Sequence, residues 1–200
     1  MLSLDEGKKA VKYARAVIEN HVGGQNIQNF DFGENFYKKM GAFVTINTYP
    51  GKMLRGCVGI PGPVMPLEDA IKEAAVSATH DPRFPQLEEK ELDSIVVEVT
   101  ILTPPEIIAV DDASEYPKHI KIRRDGLIAE RGIWRGLLLP QVPVEYGWSA
   151  EEFLAHTCMK AGLPPDAWQD ETTKIYKFGG EVFSEIEPHG EIEKVKLENE

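Results

Sequence analysis

Sulfur is scarce in this chain. Its 200 residues include two cysteines, Cys57 and Cys158, and no CxxC pair. A disulfide framework and a zinc-finger set are thereby excluded, and a reducing, cytoplasmic setting is expected. No apolar run approaches the roughly 20 residues needed to span a bilayer, so no membrane partner is expected. The opening MLSLDEGKKA has neither an apolar h-region nor a cleavage site, so no secretory signal is expected. Positive charge is also in deficit: 22 Lys and Arg face 33 Asp and Glu, a net charge of -11. That balance speaks against a nucleic-acid partner. The five histidines are scattered, and there is no HExxH, no His/Cys pair at metal spacing and no GxSxG elbow. GIPGP ahead of a helix lacks the Lys-Ser/Thr of a phosphate loop, and Glu68 and Asp69 would repel phosphate there. Neither a metal site nor a cofactor is expected.

What is present reads as an α+β fold. Two hundred residues suit one folding unit, here bounded at 1–187, with 188–200 as a frayed acidic tail. Ser3-Leu4-Asp5-Glu6 is a capping box ahead of Ala10, Val11, Ala14, Val17 and Ile18, and Gly23-Gly24 stops that helix. AFVTINT (42–48) and MLRGCVGI (53–60) predict a hairpin around Tyr49-Pro50-Gly51-Lys52, with Pro-Gly in the middle of a type II turn. Pro66 opens a helix that reaches about His80. SIVVEVTILT (94–103) predicts a strand, and 119–139 predict HIKIRR, LIAER and IWRGLLL as further strands around an Asp125-Gly126 turn. Ser149 and Glu152 form a second capping box. KIYKFGGEVFSEI predicts a last β segment with a bulge or bend at Gly179-Gly180. Short turns between strands favour a largely antiparallel sheet with flanking helices.

Four clusters could carry chemistry. In Leu54-Arg55-Gly56-Cys57-Val58-Gly59, strand periodicity puts Arg55 and Cys57 on one face, about 6–7 Å apart. A fixed positive charge there stabilises a thiolate, which is how a cysteine becomes a nucleophile near neutral pH. Gly56 and Gly59 suit close approach by a ligand or another backbone. The structural alternative is a small core cysteine beside an arginine that bonds a carboxylate. Ser77-Ala78-Thr79-His80-Asp81-Pro82-Arg83-Phe84-Pro85 gathers an acid, Asp81, and a cation, Arg83, at a helix end. Alternatively the segment only terminates the helix. Glu98 lies inside IVVEVTIL, where burial would raise its carboxyl toward general-base range, and pairing with Arg55 or Arg83 is the leading expectation. Leu137–Trp148 predicts an apolar strand running into a rigid loop, with Gln141, Glu145 and Trp148 as a pocket wall. Cys158 lies on an apolar helix stripe and reads as inert core.

LRGCVG (54–59), SATHDPRFPQL (77–87), VEVTILTPPE (97–106), DGLIAERG (125–132), LLLPQVPVEYGW (137–148) and CMKAGLPPDAW (158–168) occur in this order. Together they resemble the AMMECR family, named for the Alport syndrome, mental retardation, midface hypoplasia and elliptocytosis chromosomal region. Its hallmark is LRGCIG, from which Val58 is a mild departure. Compact length and the Pro-rich LLLPQVPVE block look most like archaeal members. The resemblance implies an α+β fold of two unequal lobes with a cleft between them, but no particular reaction. Some bacterial relatives are fused to, or encoded beside, Memo-type and radical-SAM proteins, which points to a shared modification pathway.

Whether the chain is an enzyme stays open at this level. In the leading expectation, Cys57 is a nucleophile acting on a small anionic or acyl-type substrate. Arg55 then serves as thiolate stabiliser or anion anchor, Glu98 or Asp81 as base, and Arg83 as orienting residue. The alternative is a non-catalytic module for a peptide, partner protein or metabolite, with Trp148 and Trp168 as aromatic anchors. A weaker option is RNA-associated binding through 118–135, where six Lys and Arg face Asp125 and Glu130. A solvated hairpin face is the preferred reading of that stretch.

Overall fold

In the computed structural model, residues 2–195 are described. The chain runs through helix α1 (Leu4–Gly23), strands β1 (Ala42–Thr48) and β2 (Leu54–Ile60), helix α2 (Leu67–Ala78) and strand β3 (Ile95–Leu102). The two-residue strand β4 (Glu106–Ile107) follows, then β5 (Gly126–Arg131), β6 (Trp134–Leu138), α3 (Gln141–Tyr146) and α4 (Ala150–Lys160). Strands β7 (Lys174–Phe178), β8 (Gly180–Glu185) and β9 (Ile192–Val195) complete it. The strands form two sheets, in the orders β2-β1-β3-β8-β9 and β4-β7-β5-β6. All register pairs around β1, β5, β7 and β9 are antiparallel, so the fold is α+β. No helix among the described residues is long and apolar enough to cross a membrane.

The residues divide into two compact units. One comprises the described chain through Leu102 and again from Glu181 onward; the other is Thr103–Gly180. In the first unit, α1 begins where Ser3 Oγ accepts the Glu6 N–H at 3.2 Å and the Glu6 carboxylate accepts the Ser3 N–H at 2.8 Å. This reciprocal cap satisfies two of the amides a helix start leaves unpaired. The apolar stripe Ala10, Val11, Ala14, Val17 and Ile18 is buried together with Val44, Ile46, Ile71, Val97, Val99 and Phe183. Arg15 is buried among them, and its guanidinium forks onto Glu185 (Nε to Oε1 2.6 Å, Nη2 to Oε2 2.5 Å). It also donates to the carbonyls of Leu92 and Ile95, while Glu185 accepts the Val97 N–H. Every charge there has partners, the condition for burying an ion pair, and the network ties α1 to β3 and β8.

The second unit packs α4 against β5 and β6 around Leu127, Ala129, Phe153, Leu154, Cys158 and Trp168. Ser149 caps α4 with the same box, accepting the Glu152 N–H at 3.2 Å while Glu152 accepts the Ser149 N–H at 2.8 Å.

Five local expectations are corrected. The β1–β2 turn places its positive φ on Lys52 (+48°) rather than Gly51, so it is not a type II turn. Residues 120–124 are not a strand: the buried Asp125 carboxylate accepts the Lys121 N–H at 2.8 Å and turns the segment back. The loop expected after Leu139 is instead helix α3. Pro143 sits in its first turn, where a missing N–H costs nothing. Gly179-Gly180 is the point where the chain leaves one sheet for the other, with Gly179 and Thr103 exchanging backbone and hydroxyl hydrogen bonds. The tail is not frayed through 195: β9 pairs with β8 and buries Ile192. Residues 196–200 of that expected tail lie outside the described residues.

Candidate functional site

Cys57 lies on β2, an edge strand, with β1 on one side. Its own N–H and C=O point away from β1. The N–H donates to Asp81 Oδ2 at 2.9 Å, and the carbonyl accepts from Arg83 Nη2 at 3.2 Å. Cys57 and its register partner Thr45 are therefore a non-hydrogen-bonded pair, the kind whose side chains approach most closely. Thr45 Oγ1 donates to Cys57 Sγ at 3.3 Å. Thr45 in turn pairs with Glu98 of β3. Cys57, Thr45 and Glu98 thus form a row across three strands, with the outer two Cα atoms roughly 10 Å apart.

Glu98 is half-buried, flanked along β3 by the buried Val96 and Thr100 of the same face. Burial raises its carboxyl above the ordinary carboxylate value, against a smaller opposing pull from the Lys52 charge. The expected pairing with Arg55 or Arg83 does not form; among the described residues the Glu98 carboxyl has no hydrogen-bond partner, and both arginines are engaged elsewhere.

Arg55 forks onto Glu91 (Nε to Oε1 2.8 Å, Nη2 to Oε2 2.9 Å) and donates to the carbonyls of Pro85 at 2.7 Å and Gln86 at 3.2 Å. The Arg55 hydrogen bonds hold the Glu91 carboxyl below its ordinary value. All three Arg55 nitrogens are committed to holding the 85–91 segment on β2, so Arg55 bonds a carboxylate, while Cys57 beside it is half-buried rather than core.

Asp81 is buried, and both its oxygens are occupied. Oδ1 accepts from the Arg83 backbone at 3.1 Å and from Arg83 Nε at 3.0 Å; Oδ2 accepts from Cys57 N–H and from Arg83 Nη2 at 2.7 Å. The Arg83 side chain, followed by the two backbone donors, holds the Asp81 carboxyl well below the usual carboxylate range. A base needs a free lone pair, and Asp81 has none to offer. Together Asp81 and Arg83 close the outer edge of β2 at Cys57, taking the place of a neighbouring strand.

The two glycines of LRGCVG serve different ends. A Cβ at Gly56 would lie 2.3 Å from the Ala78 carbonyl oxygen at the end of α2, so Gly56 lets helix backbone approach sheet backbone. A Cβ at Gly59 would meet the Phe43 ring at 2.3 Å, so this glycine makes room for a cross-strand side chain.

In the second unit, Gln141 and Glu145 are exposed on α3. The Trp148 ring is stacked on His156 at 3.8 Å and on Tyr146 at 4.9 Å, so the exposed ring of that stack is Tyr146 rather than Trp148. Trp168 is core, which removes it as an anchor. Cys158 is fully buried, and burial pushes its thiol up to about 11. The basic stretch is largely engaged: Arg124 with Asp125, Arg131 with Thr173 and the Ala167 carbonyl, Arg135 with Glu130. Among the described residues no group of three or more His, Cys, Asp and Glu is arranged to hold a metal ion.

The AMMECR1 family model matches residues 11–183 of the chain. A protein of Methanocaldococcus jannaschii is 60% identical over 198 residues, covering 98% of both chains. A protein of Pyrococcus horikoshii is 52% identical over 197 residues, covering 96% of this chain and 95% of that one. The crystal structure of an uncharacterised Pyrococcus horikoshii protein superposes with a TM-score of 0.76 at 50% identity, covering 97% of this chain and 98% of the other.

Proposed function

The chain belongs to the AMMECR1 family, and from that premise we propose that it is a thiol enzyme acting on a small acyl-type substrate. Cys57 is its nucleophile and Glu98 its proton carrier, and the row Cys57–Thr45–Glu98 on one sheet face supports this reading. A substrate lying over Thr45 would be within reach of the sulfur on one side and the carboxyl on the other. The Thr45 hydroxyl already donates to the sulfur, and that donation strengthens as the sulfur takes up negative charge.

The step is an acyl transfer. The Cys57 sulfur attacks the acyl carbon, the C–S bond forms and the bond to the leaving group breaks. The thiol proton passes through a water lying over Thr45 to the Glu98 carboxylate, which returns it to the leaving group. Water then releases the acid from the thioester. Burial raises the Glu98 carboxyl above its ordinary value, which makes it a better proton acceptor than an exposed carboxylate. Arg83, exposed beyond Asp81, supplies positive charge at the rim for an anionic substituent. Two unpaired cysteines suit a reducing cytoplasm.

An activated ester such as p-nitrophenyl acetate tests the reading. The expected result is an acetyl adduct on Cys57 by intact mass and peptide mapping, absent in Cys57→Ser and slower to form and clear in Glu98→Gln. Unchanged ester turnover in Cys57→Ser contradicts it. A second reading, a non-catalytic binding module, is favoured by the exposed Tyr146 ring beside Glu145 on α3. It predicts that Cys57→Ser leaves function intact while Tyr146→Ala weakens partner capture.

A further inference from the structure

His21 closes the last turn of α1, and His80 lies two residues past the end of α2. Both are exposed, and their ring centroids are 4.9 Å apart with an interplanar angle of 69°. We propose that these two imidazoles form a divalent transition-metal site, of the zinc class, on the surface of the first unit.

The spacing fits that chemistry. A zinc ion sits about 2.0–2.1 Å from each ligating nitrogen, hence roughly 3.2 Å from each imidazole centroid. A tetrahedral angle at the ion then separates two such centroids by roughly 5 Å. The observed centroid separation of 4.9 Å matches that distance.

The tautomer of His80 is also set for it. The Thr79 hydroxyl donates to the Val76 carbonyl at 2.7 Å, so its oxygen is the acceptor facing His80 Nδ1 at 2.8 Å. The same ring nitrogen lies 3.3 Å from the Val76 carbonyl, a second acceptor. Two acceptors around Nδ1 put the proton there and leave Nε2 with its lone pair outward. A ligating histidine is oriented in the same way, its other ring N–H held by a protein acceptor. Among the described residues the His21 ring makes no hydrogen bond, so either nitrogen is open to a metal. Two protein ligands leave two positions for water, which makes the site exchangeable rather than structural. It would bridge the ends of α1 and α2 immediately before Asp81.

Zinc titration into the untagged protein at neutral pH, followed by calorimetry and by histidine ring resonances, tests this. Neutral pH matters because imidazole must be deprotonated to ligate. The expected result is one Zn²⁺ per chain, the His21 and His80 resonances moving together. Affinity should fall at least tenfold in His21→Ala and in His80→Ala but stay unchanged in His119→Ala and Cys57→Ser. Three outcomes overturn the site: no saturable binding up to about 1 mM, binding retained in either histidine variant, or binding lost in Cys57→Ser. All four substituted side chains are at least partly exposed, and thermal midpoints without zinc check that each variant folds.

Discussion

Thr45 and Cys57 face each other across β1 and β2 as a non-hydrogen-bonded pair, with the threonine hydroxyl donating to the sulfur at 3.3 Å. Thr45→Val keeps the shape and removes the donor. Loss of one such hydrogen bond slows Cys57 alkylation at neutral pH roughly three- to tenfold, with the denaturant midpoint little changed. An unchanged alkylation rate would mean the hydroxyl does nothing for the sulfur.

Glu98 carries a pH signature. Burial raises its carboxyl in the folded state above the unfolded value, so the fold favours the protonated form. The stability it contributes is fully present below the unfolded value, roughly 4.3, and is lost as pH rises through the folded value. Glu98→Gln does not ionise and avoids that loss. The variant is therefore expected to match wild type in acid and exceed it at neutral pH, as read from urea midpoints at several pH values. A variant less stable than wild type at neutral pH would show that the carboxylate is stabilised there, contrary to its surroundings.

Asp81 has the opposite sign. Arg83 and two backbone N–H groups depress its carboxyl, so its contribution is present above the unfolded value of roughly 3.9 and is lost as pH falls through the lower folded value. Asp81→Asn turns an NH₂ toward donors and leaves a buried partner unsatisfied, at a cost of about 1–3 kcal/mol. The gap between wild type and variant should hold from neutral pH down to mild acid and shrink below about pH 4. An equal gap at every pH would show that the ionised form is not what the fold uses.

Much of this fold is legible in sequence where the signal is local. Ser3/Glu6 and Ser149/Glu152 announce α1 and α4 because a capping box is complete within four residues. The β1–β2 hairpin is legible because two β-rich runs flank a short turn. Ile120 and Ile122 mislead because their alternation mimics a strand, whereas the deciding contact is a carboxylate four residues downstream. Pro140 and Pro143 mislead because proline breaks helix interiors but is tolerated at helix starts.

The site divides along the same line. Cys57, Glu98, Asp81 and Arg83 stand out by residue type in their segments. Their partners do not, because register across strands is not written in spacing along one of them. Thr45, the residue between Cys57 and Glu98, carries no signal of its own in AFVTINT. Along the strand Arg55 neighbours Cys57, but the fold brings Glu91 and two carbonyls to its guanidinium.

The most direct test of the thiol reading compares the two cysteines in one sample. Folded protein is treated with iodoacetamide at neutral pH, and modification of Cys57 and Cys158 is followed by peptide mass against a small peptide thiol. Cys158, fully buried with its thiol pushed up to about 11, should stay unmodified until the protein unfolds. Cys57 should react faster than the peptide thiol, more slowly in Thr45→Val, and at an unchanged rate in Arg55→Met, since that arginine serves the scaffold. A Cys57 that reacts no faster than the peptide thiol, or that slows when Arg55 is replaced, contradicts the account.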